Sequence, residues 1–391
     1  MSSAMSKLPG YRPVVGVESF LFIAGFGAFF AGLSARMGVV NMMNTMMETA
    51  YDLLLDTVLY IMAIAVLAGA VAGLLTEFGV VALLNTLLSP LMGPLYGLPG
   101  ASIVGVFATY LSDNPAILTL AEDQGFRCYF KKYQLPALTN MGTSFGMGMI
   151  ITAFMAGIRL PSGESLVRAA LLGNVGAVIG SIISVRIMLR FTKREYGTEE
   201  WCLGRDAAGS MDSSRYRKVR NGSVGERFME ALLEGGRSGV DMGLGIIPGV
   251  LVICTAVLML SNGASADGSY TGAACEGVAL LPWLGAKLSA ILEPLFGFAS
   301  PEAVAVPVTA LGAAGAAIGL VPAMVEKGAA GANDVAVFTA MCMCWSGYLS
   351  THVAMMDSLK CGKLTGRAIM SHTIGGIAAG ISAHLLFLLL G

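Results

Sequence analysis

Ser112-Asp113-Asn114-Pro115 interrupts an apolar run, between Ile103-Val104-Gly105-Val106-Phe107 and Ile117-Leu118-Thr119-Leu120. An acid at that depth in hydrocarbon is costly and marks a solute or ion path by default. Pro115 removes a backbone donor and disfavours helical geometry at Asn114. The helix is therefore predicted to break there, exposing carbonyls and a half-helix N-terminus, unless Asp113 or Asn114 merely caps the second half. A second polar set, Thr139, Asn140, Thr143 and Ser144, recurs at spacings that share roughly one helix face. That face is expected either to line a polar cavity toward Asp113 or to bond between helices. Further on lie Thr339, Trp345-Ser346-Gly347 and Ser350-Thr351-His352, where an aromatic beside hydroxyls suits a ring-bearing ligand. A membrane Trp can equally pack or anchor. His352, and His372 and His384 in the last apolar run, are candidates for carrying protons.

The candidate binding residues are thus Ser112, Asp113, Asn114, Thr139, Asn140, Thr143, Ser144, Trp345, Ser346 and His352. No secure basic residue joins them, which favours a neutral polar or cationic solute over an anion. Cys342 and Cys344 are two apart on a helical run and point to nearly opposite sides, so no metal site is expected. With no H-E-x-x-H and no nucleophile elbow, no catalytic residue and no enzyme are expected. The only cofactor expected is a coupling ion, Na⁺ or H⁺.

The elements that must hold these residues are membrane helices. Of the 391 residues 55% are apolar and only 13% charged, and mean hydropathy is +0.73, too few charges to solvate a globule of this size. The 24 basic and 25 acidic side chains nearly cancel, so no charge excess points to nucleic acid. Between short charged stretches lie apolar runs long enough to cross about 30 Å of hydrocarbon as helix. Eleven candidate spans result: 15–35, 52–75, 79–97, 101–121, 134–157, 164–191, 239–261, 279–297, 302–325, 334–356 and 365–390. Ser89-Pro90, Gly93-Pro94 and Glu293-Pro294 interrupt or end the third and eighth, which are read as full crossings rather than re-entrant segments. Basic residues then crowd one side, leaving only Arg36, Arg159, Arg168 and Lys327 on the other. The positive-inside rule places the N-terminus inside the cell membrane and the C-terminus outside.

The chain also matches itself. Pro94-Leu95-Tyr96-Gly97 recurs as Pro294-Leu295-Phe296-Gly297, and the same shift pairs Thr109 with Thr309, Thr139 with Thr339 and Phe145 with Trp345. After one deletion Gly163, Arg168 and Gly176 meet Gly362, Arg367 and Gly375. The organisation read from this is an N-terminal extra span and connector (1–50), a first membrane repeat (51–191), a cytoplasmic linker (192–238) and a second repeat (239–391). Each repeat has five segments, so the second is inverted. That is the plan of secondary transporters with helices broken at midplane. Between Gly312 and Gly319 the second copy is Gly and Ala with one Ile, which reads as tight packing where the first has its polar break.

The Pro-Leu-x-Gly pattern at Pro90 to Gly93, echoed at Pro94 to Gly97 and Pro294 to Gly297, precedes a span broken at Ser112 to Pro115. In this the chain resembles the nucleoside-recognition, or Gate, family of polytopic membrane proteins. That family includes spore-maturation-type proteins and is distantly similar to concentrative nucleoside transporters. The resemblance covers about 60 residues in each copy and agrees with the all-α membrane fold of about 11 spans read from the apolar runs. It carries no nucleoside-binding residue over, because the Gln/Thr/Asn/Glu-rich pattern of those transporters is not present in full. The expectation is an ion-coupled transporter of a small polar solute, a nucleoside-like compound among the candidates, working by alternating access in a lipid bilayer, as a monomer or homo-oligomer. The alternative is a channel or a non-transporting sporulation-type assembly factor.

Overall fold

Glycine and alanine at helical spacing and a scarcity of solvating charge favour long helices that pack closely in lipid. The computed structural model describes residues 15–122, 124–202, 219–265 and 267–391. Helix α1 spans Val17–Met37. A continuous 39-residue helix, α2, follows at Val39–Glu77 with a π-turn over Leu53–Val58. Then come α3 (Val80–Tyr96), α4 (Ser102–Leu111), α5 (Pro115–Glu122), α6 (Ala137–Thr143), α7 (Gly148–Gly157) and α8 (Val167–Tyr196). The second series is α9 (Val224–Ser261), α10 (Leu280–Phe296), α11 (Pro301–Ala310), α12 (Ala314–Glu326), α13 (Ala332–Cys344), α14 (Tyr348–Ser358) and α15 (Thr365–Leu390). The order long, short, broken, broken, long occurs twice. The protein is an all-α polytopic membrane protein.

Among the described residues α1, α2, α8, α9 and α15 are long and apolar enough to cross a bilayer, and α10 with α11 forms a pair bent by 79°. The eleven uniform spans expected are therefore of two kinds, because several are divided into pieces of fewer than eighteen residues. Lipid is the medium the outer faces suit: on α1, Phe20, Leu21, Phe22 and Ile23 are each more than 60% exposed.

Direct contacts show that the equivalent helices run antiparallel. A Cβ added to Gly69 would stand 2.4 Å from the Gly235 carbonyl, one on Gly73 2.4 Å from that of Ala231, and one on Gly239 2.3 Å from that of Ala65. As the number rises along α2 its partner falls along α9. Between α8 and α15, Gly180 abuts Gly375 while Gly176 abuts Ala379. At the 199-residue shift Gly176 corresponds to Gly375 and Gly180 to Ala379, so each contact is the image of the other. That is the self-complementary contact of a two-fold axis, and it requires the helices to be opposed.

Several boundaries differ from expectation. Helix α2 begins thirteen residues before the expected span, because Asn41, Asn44, Thr45 and Thr49 read as a polar connector. In the fold Thr45 and Thr49 are buried, Asn41 Nδ2 donates to the Tyr270 carbonyl at 2.8 Å, and Thr49 Oγ1 accepts from the Cys275 amide at 2.8 Å. Helix α3 is unbroken despite Pro90 and Pro94. At its C-terminus Arg186 donates to the Pro94 and Leu95 carbonyls, which lack intrahelical donors there. The expected linker at 192–238 is shortened at both ends by α8 and α9, and its residues 203–218 lie outside the described residues. A Ser223–Glu226 capping box starts α9. Buried Glu77, at the end of α2, accepts from Arg220 Nη1 at 2.8 Å and Arg227 Nε at 2.6 Å, tying the start of α9 to α2.

The segment between α9 and α10 folds around one carboxylate. Glu276 accepts from Ser265 Oγ (2.6 Å), Thr271 Oγ1 (2.8 Å) and the amides of Thr271 and Gly272 (3.0 Å each). Burial pushes its carboxyl up, but these donors outweigh that and hold it down at about 2. With the folded value below the unfolded one, the contribution is complete above pH ~4.5 and is lost as pH falls through about 2. Glu276→Gln should remove roughly 2 kcal/mol at neutral pH by placing an amide donor against donors. Limited proteolysis of the segment at pH 7 should then match that of the parent at acid pH.

Candidate functional site

The four broken segments converge. The first break, at Ser112–Asn114 between α4 and α5, is the one expected from Pro115. The second, at Ser144–Met147 between α6 and α7, puts Met147 in the left-handed region (φ 54°). Its counterpart at Trp345–Gly347, between α13 and α14, puts Gly347 at φ 59° in the same place 200 residues on. The fourth lies at Leu311–Ala313 between α11 and α12, where the Gly312 and Ala313 amides both turn to the Thr309 carbonyl at 3.0 Å. The second copy is therefore broken in its backbone although it lacks polar side chains there, while Gly315 and Gly319 pack closely on Ile246 and Thr57 as that stretch was read.

Asn114 joins three of these breaks. Its Nδ2 donates to the Ser346 carbonyl at 2.6 Å, and its Oδ1 lies where a Cβ on Gly146 would be only 2.1 Å away. The fourth break is reached through Gly347, whose amide donates to the Ala310 carbonyl at 3.2 Å. Segments of opposite topology thus meet at one point, presenting half-helix ends and loose carbonyls.

The expected residues divide. Asp113 is half-buried, and one of its carboxylate oxygens accepts from the Asn114 amide at 2.7 Å, a local capping arrangement. Asn114, not Asp113, faces the fifth and tenth segments. Thr143 bonds the Thr139 carbonyl and Ser144 the Asn140 carbonyl (2.8 Å), each one turn back on its own helix. Thr139 donates toward Met356 Sδ at 3.7 Å. Ser112 is half-buried at the break (φ −131°, ψ −114°), and Ser346 contributes its carbonyl. Trp345 lies on Gly376 of α15 and stacks on Tyr348 with centroids 6.2 Å apart.

Beside this point lies a buried polar cluster only partly anticipated. Asn140 Nδ2 donates to Ser184 Oγ and to the Ala368 carbonyl, both at 3.0 Å. Ser184 Oγ is 3.1 Å from His372 Nδ1, and His372 Nε2 donates to the Cys344 carbonyl. His352 Nδ1 donates to the Tyr348 carbonyl at 2.9 Å, and the two imidazoles are 4.7 Å apart. Ser184 was not among the candidate residues, and His372 was one only for carrying protons. Ser184 has no motif of its own in the sequence, and only the contact between α8 and α15 brings it to His372.

Four buried polar atoms here have no hydrogen-bond partner among the described residues: Asn114 Oδ1, Asn140 Oδ1, His352 Nε2 and Trp345 Nε1. Because both amides donate to carbonyls, their orientations are fixed, and the unpartnered Asn oxygens are acceptors. With Tyr348 fixing the tautomer, His352 Nε2 is an acceptor too. Three acceptors and one donor ask for a ligand rich in N–H or O–H groups, or for a cation. Leaving such groups unmet costs about 1–3 kcal/mol each. A cavity of about 440 Å³ lies to one side of this point and is lined by leucines, valines and aromatics of α3, α4 and α8. Its chemistry does not suit a polar solute, so the convergence point is the better candidate.

The fold and site together define a class: polytopic all-α membrane proteins with paired, opposed repeats whose broken helices meet centrally. Within it, the chain is similar to CNTnw in an inward-facing substrate-bound state, with a TM-score of 0.55 at 14% identity over 99% of this chain and 89% of that one. A doubly substituted CNTnw in an outward-facing state gives 0.55 at 13% identity over the same shares, and another gives 0.52. At this identity the likeness is one of fold. No family model and no curated protein matches the chain.

Proposed function

We propose that the protein is a secondary transporter that moves a small polar, neutral or cationic solute across a cell membrane by alternating access. The observation that carries this reading is the junction at Asn114, where broken segments of opposite topology meet around unpartnered buried acceptors. A site at the junction of opposed repeats is exposed to either side as one repeat rocks against the other. The likeness to CNTnw, a concentrative nucleoside transporter with inward-facing substrate-bound and outward-facing structures, supports the same reading and makes nucleosides the first solutes to try. Their ring N–H and ribose hydroxyls are donors of the kind the three acceptors lack.

The test is uptake by proteoliposomes over nucleosides, amino acids and divalent cations, with and without Na⁺ or pH gradients. Accumulation of at least one nucleoside or other donor-rich solute above its external concentration is expected. Entry that only equilibrates would favour a channel, and no entry of any solute would favour a non-transporting assembly role.

A further inference from the structure

We propose that His352 is the proton-binding residue that couples solute movement to a proton gradient, an inference that rests on the transport reading above. His352 and His372 are both fully buried. The hydrogens of the cluster can be followed one by one. Asn140 donates to Ser184 Oγ, the Ser184 hydroxyl donates to His372 Nδ1, and His372 Nε2 donates to the Cys344 carbonyl. His372 is thus neutral with both nitrogens engaged. His352 differs: Nδ1–H is spent on the Tyr348 carbonyl, and the Nε2 lone pair has no partner among the described residues. It is the one nitrogen of the pair that can take a proton without breaking an existing bond.

The surroundings limit the pair to one proton. Ring centroids 4.7 Å apart place two imidazolium charges in repulsion. On α14 the titratable neighbours are Tyr348, 5.6 Å from the His352 ring, and Asp357 near the far end. Helix α15 presents His372, with Arg367 over the Phe191 ring. Helix α13 ends at Cys344, whose thiol faces the Ser144 carbonyl at 3.8 Å. Among the segments from the first repeat, α6 presents only hydroxyls and the Asn140 amide; the acids of the α5 region are Asp113 at the break, whose carboxylate holds the Asn114 amide, and Glu122, the last residue of α5. No carboxylate is hydrogen-bonded to either imidazole among the described residues. A proton therefore has to arrive while the junction is open to water on one side and leave when it is open on the other. His352 lies one turn beyond Gly347, the hinge of α13 and α14, so its charge acts on a segment that the rocking motion must move.

Two measurements decide it. In full-length protein whose only tryptophan is Trp345 (Trp201→Phe, Trp283→Phe), the indole stacked on Tyr348 should report protonation as a fluorescence change on acidification. The change should vanish in His352→Gln, and a flat trace in the unsubstituted background overturns the assignment. In pyranine-loaded proteoliposomes challenged with the nucleosides, amino acids and divalent cations of the screen, a transported solute should acidify the lumen. For one proton per neutral solute, accumulation should rise about tenfold per unit of inward pH gradient and fall to the gradient-free level in His352→Gln. Accumulation that follows Na⁺ and ignores pH, or equal acidification by His352→Gln, overturns the proton assignment and leaves the transport reading standing. Parent vesicles that take up no solute remove both.

Discussion

Gly180→Ala is expected to lower the stability of the detergent-solubilised protein by roughly 1–3 kcal/mol, and Gly180→Val to abolish folding. The added Cβ would meet the Gly375 carbonyl at 2.4 Å and the Ala379 Cβ at 2.5 Å, so α8 and α15 would have to separate. Helix propensity argues the other way, since Ala is favoured over Gly by about 1 kcal/mol. Sterics win here because both partners are held by packing on each side. Association in lipid also has little hydrophobic drive and depends on close contact, so a gap of an ångström forfeits much of the attraction. Gly25→Ala isolates the opposing effect: nothing lies within 4 Å of its added Cβ, and it should be neutral or stabilising. The two-fold relation adds a stricter expectation, that Gly375→Ala costs about as much as Gly176→Ala, its equivalent at the 199-residue shift. Thermal unfolding midpoints of the four alanine variants, at Gly25, Gly176, Gly180 and Gly375, test this together. Equal midpoints for Gly25→Ala and Gly180→Ala would mean that the equivalent helices are not pressed together at the axis.

The same axis shows where the sequence was legible and where it was not. The break at Ser112 to Pro115 could be read because a proline and three polar residues stand in an apolar run. Its equivalent at Gly312-Ala313 could not, because two amides turning to one carbonyl make the break with no polar side chain and no proline. Helix α3 was misread in the opposite sense: its prolines looked like interruptions, but the helix runs through both from Val80 to Tyr96. The repeat register, read from Pro94 to Gly97 and Pro294 to Gly297, survives as the matched left-handed residues Gly97 (φ 73°) and Gly297 (φ 63°). The histidine cluster was the harder case. Local periodicity says nothing about a contact between residues 188 apart. Yet the duplication held the clue, since pairing 176 with 379 and 180 with 375 brings Ser184 opposite Ser371-His372 one turn further on.

Asn114→Ala is expected to reduce solute uptake by one to two orders of magnitude, because it removes both the tie to the tenth segment and the acceptor aimed into the junction. Loss of one hydrogen bond to a solute, or exposure of one unmet buried group, is worth about 1–3 kcal/mol, and each 1.4 kcal/mol is tenfold. Two further variants separate the tie from the acceptor. Asn114→Asp keeps an oxygen facing Gly146 but sets a carboxylate against the Ser346 carbonyl, so it should lose stability as well as uptake. Ser346→Ala leaves that carbonyl in place and should retain uptake within about twofold, since the bond from Asn114 is to the backbone. Asp113→Asn tests the residue that looked most important in the sequence. Its carboxylate caps the Asn114 amide, an interaction that asparagine also supplies, so the loss should be smaller than for Asn114→Ala. Uptake that falls more with Asp113→Asn than with Asn114→Ala would return the charge to the centre of the mechanism and assign Asn114 to architecture. The expected order instead places recognition on a neutral amide held across the junction of the two repeats, where one rocking step changes the side to which its free oxygen is exposed.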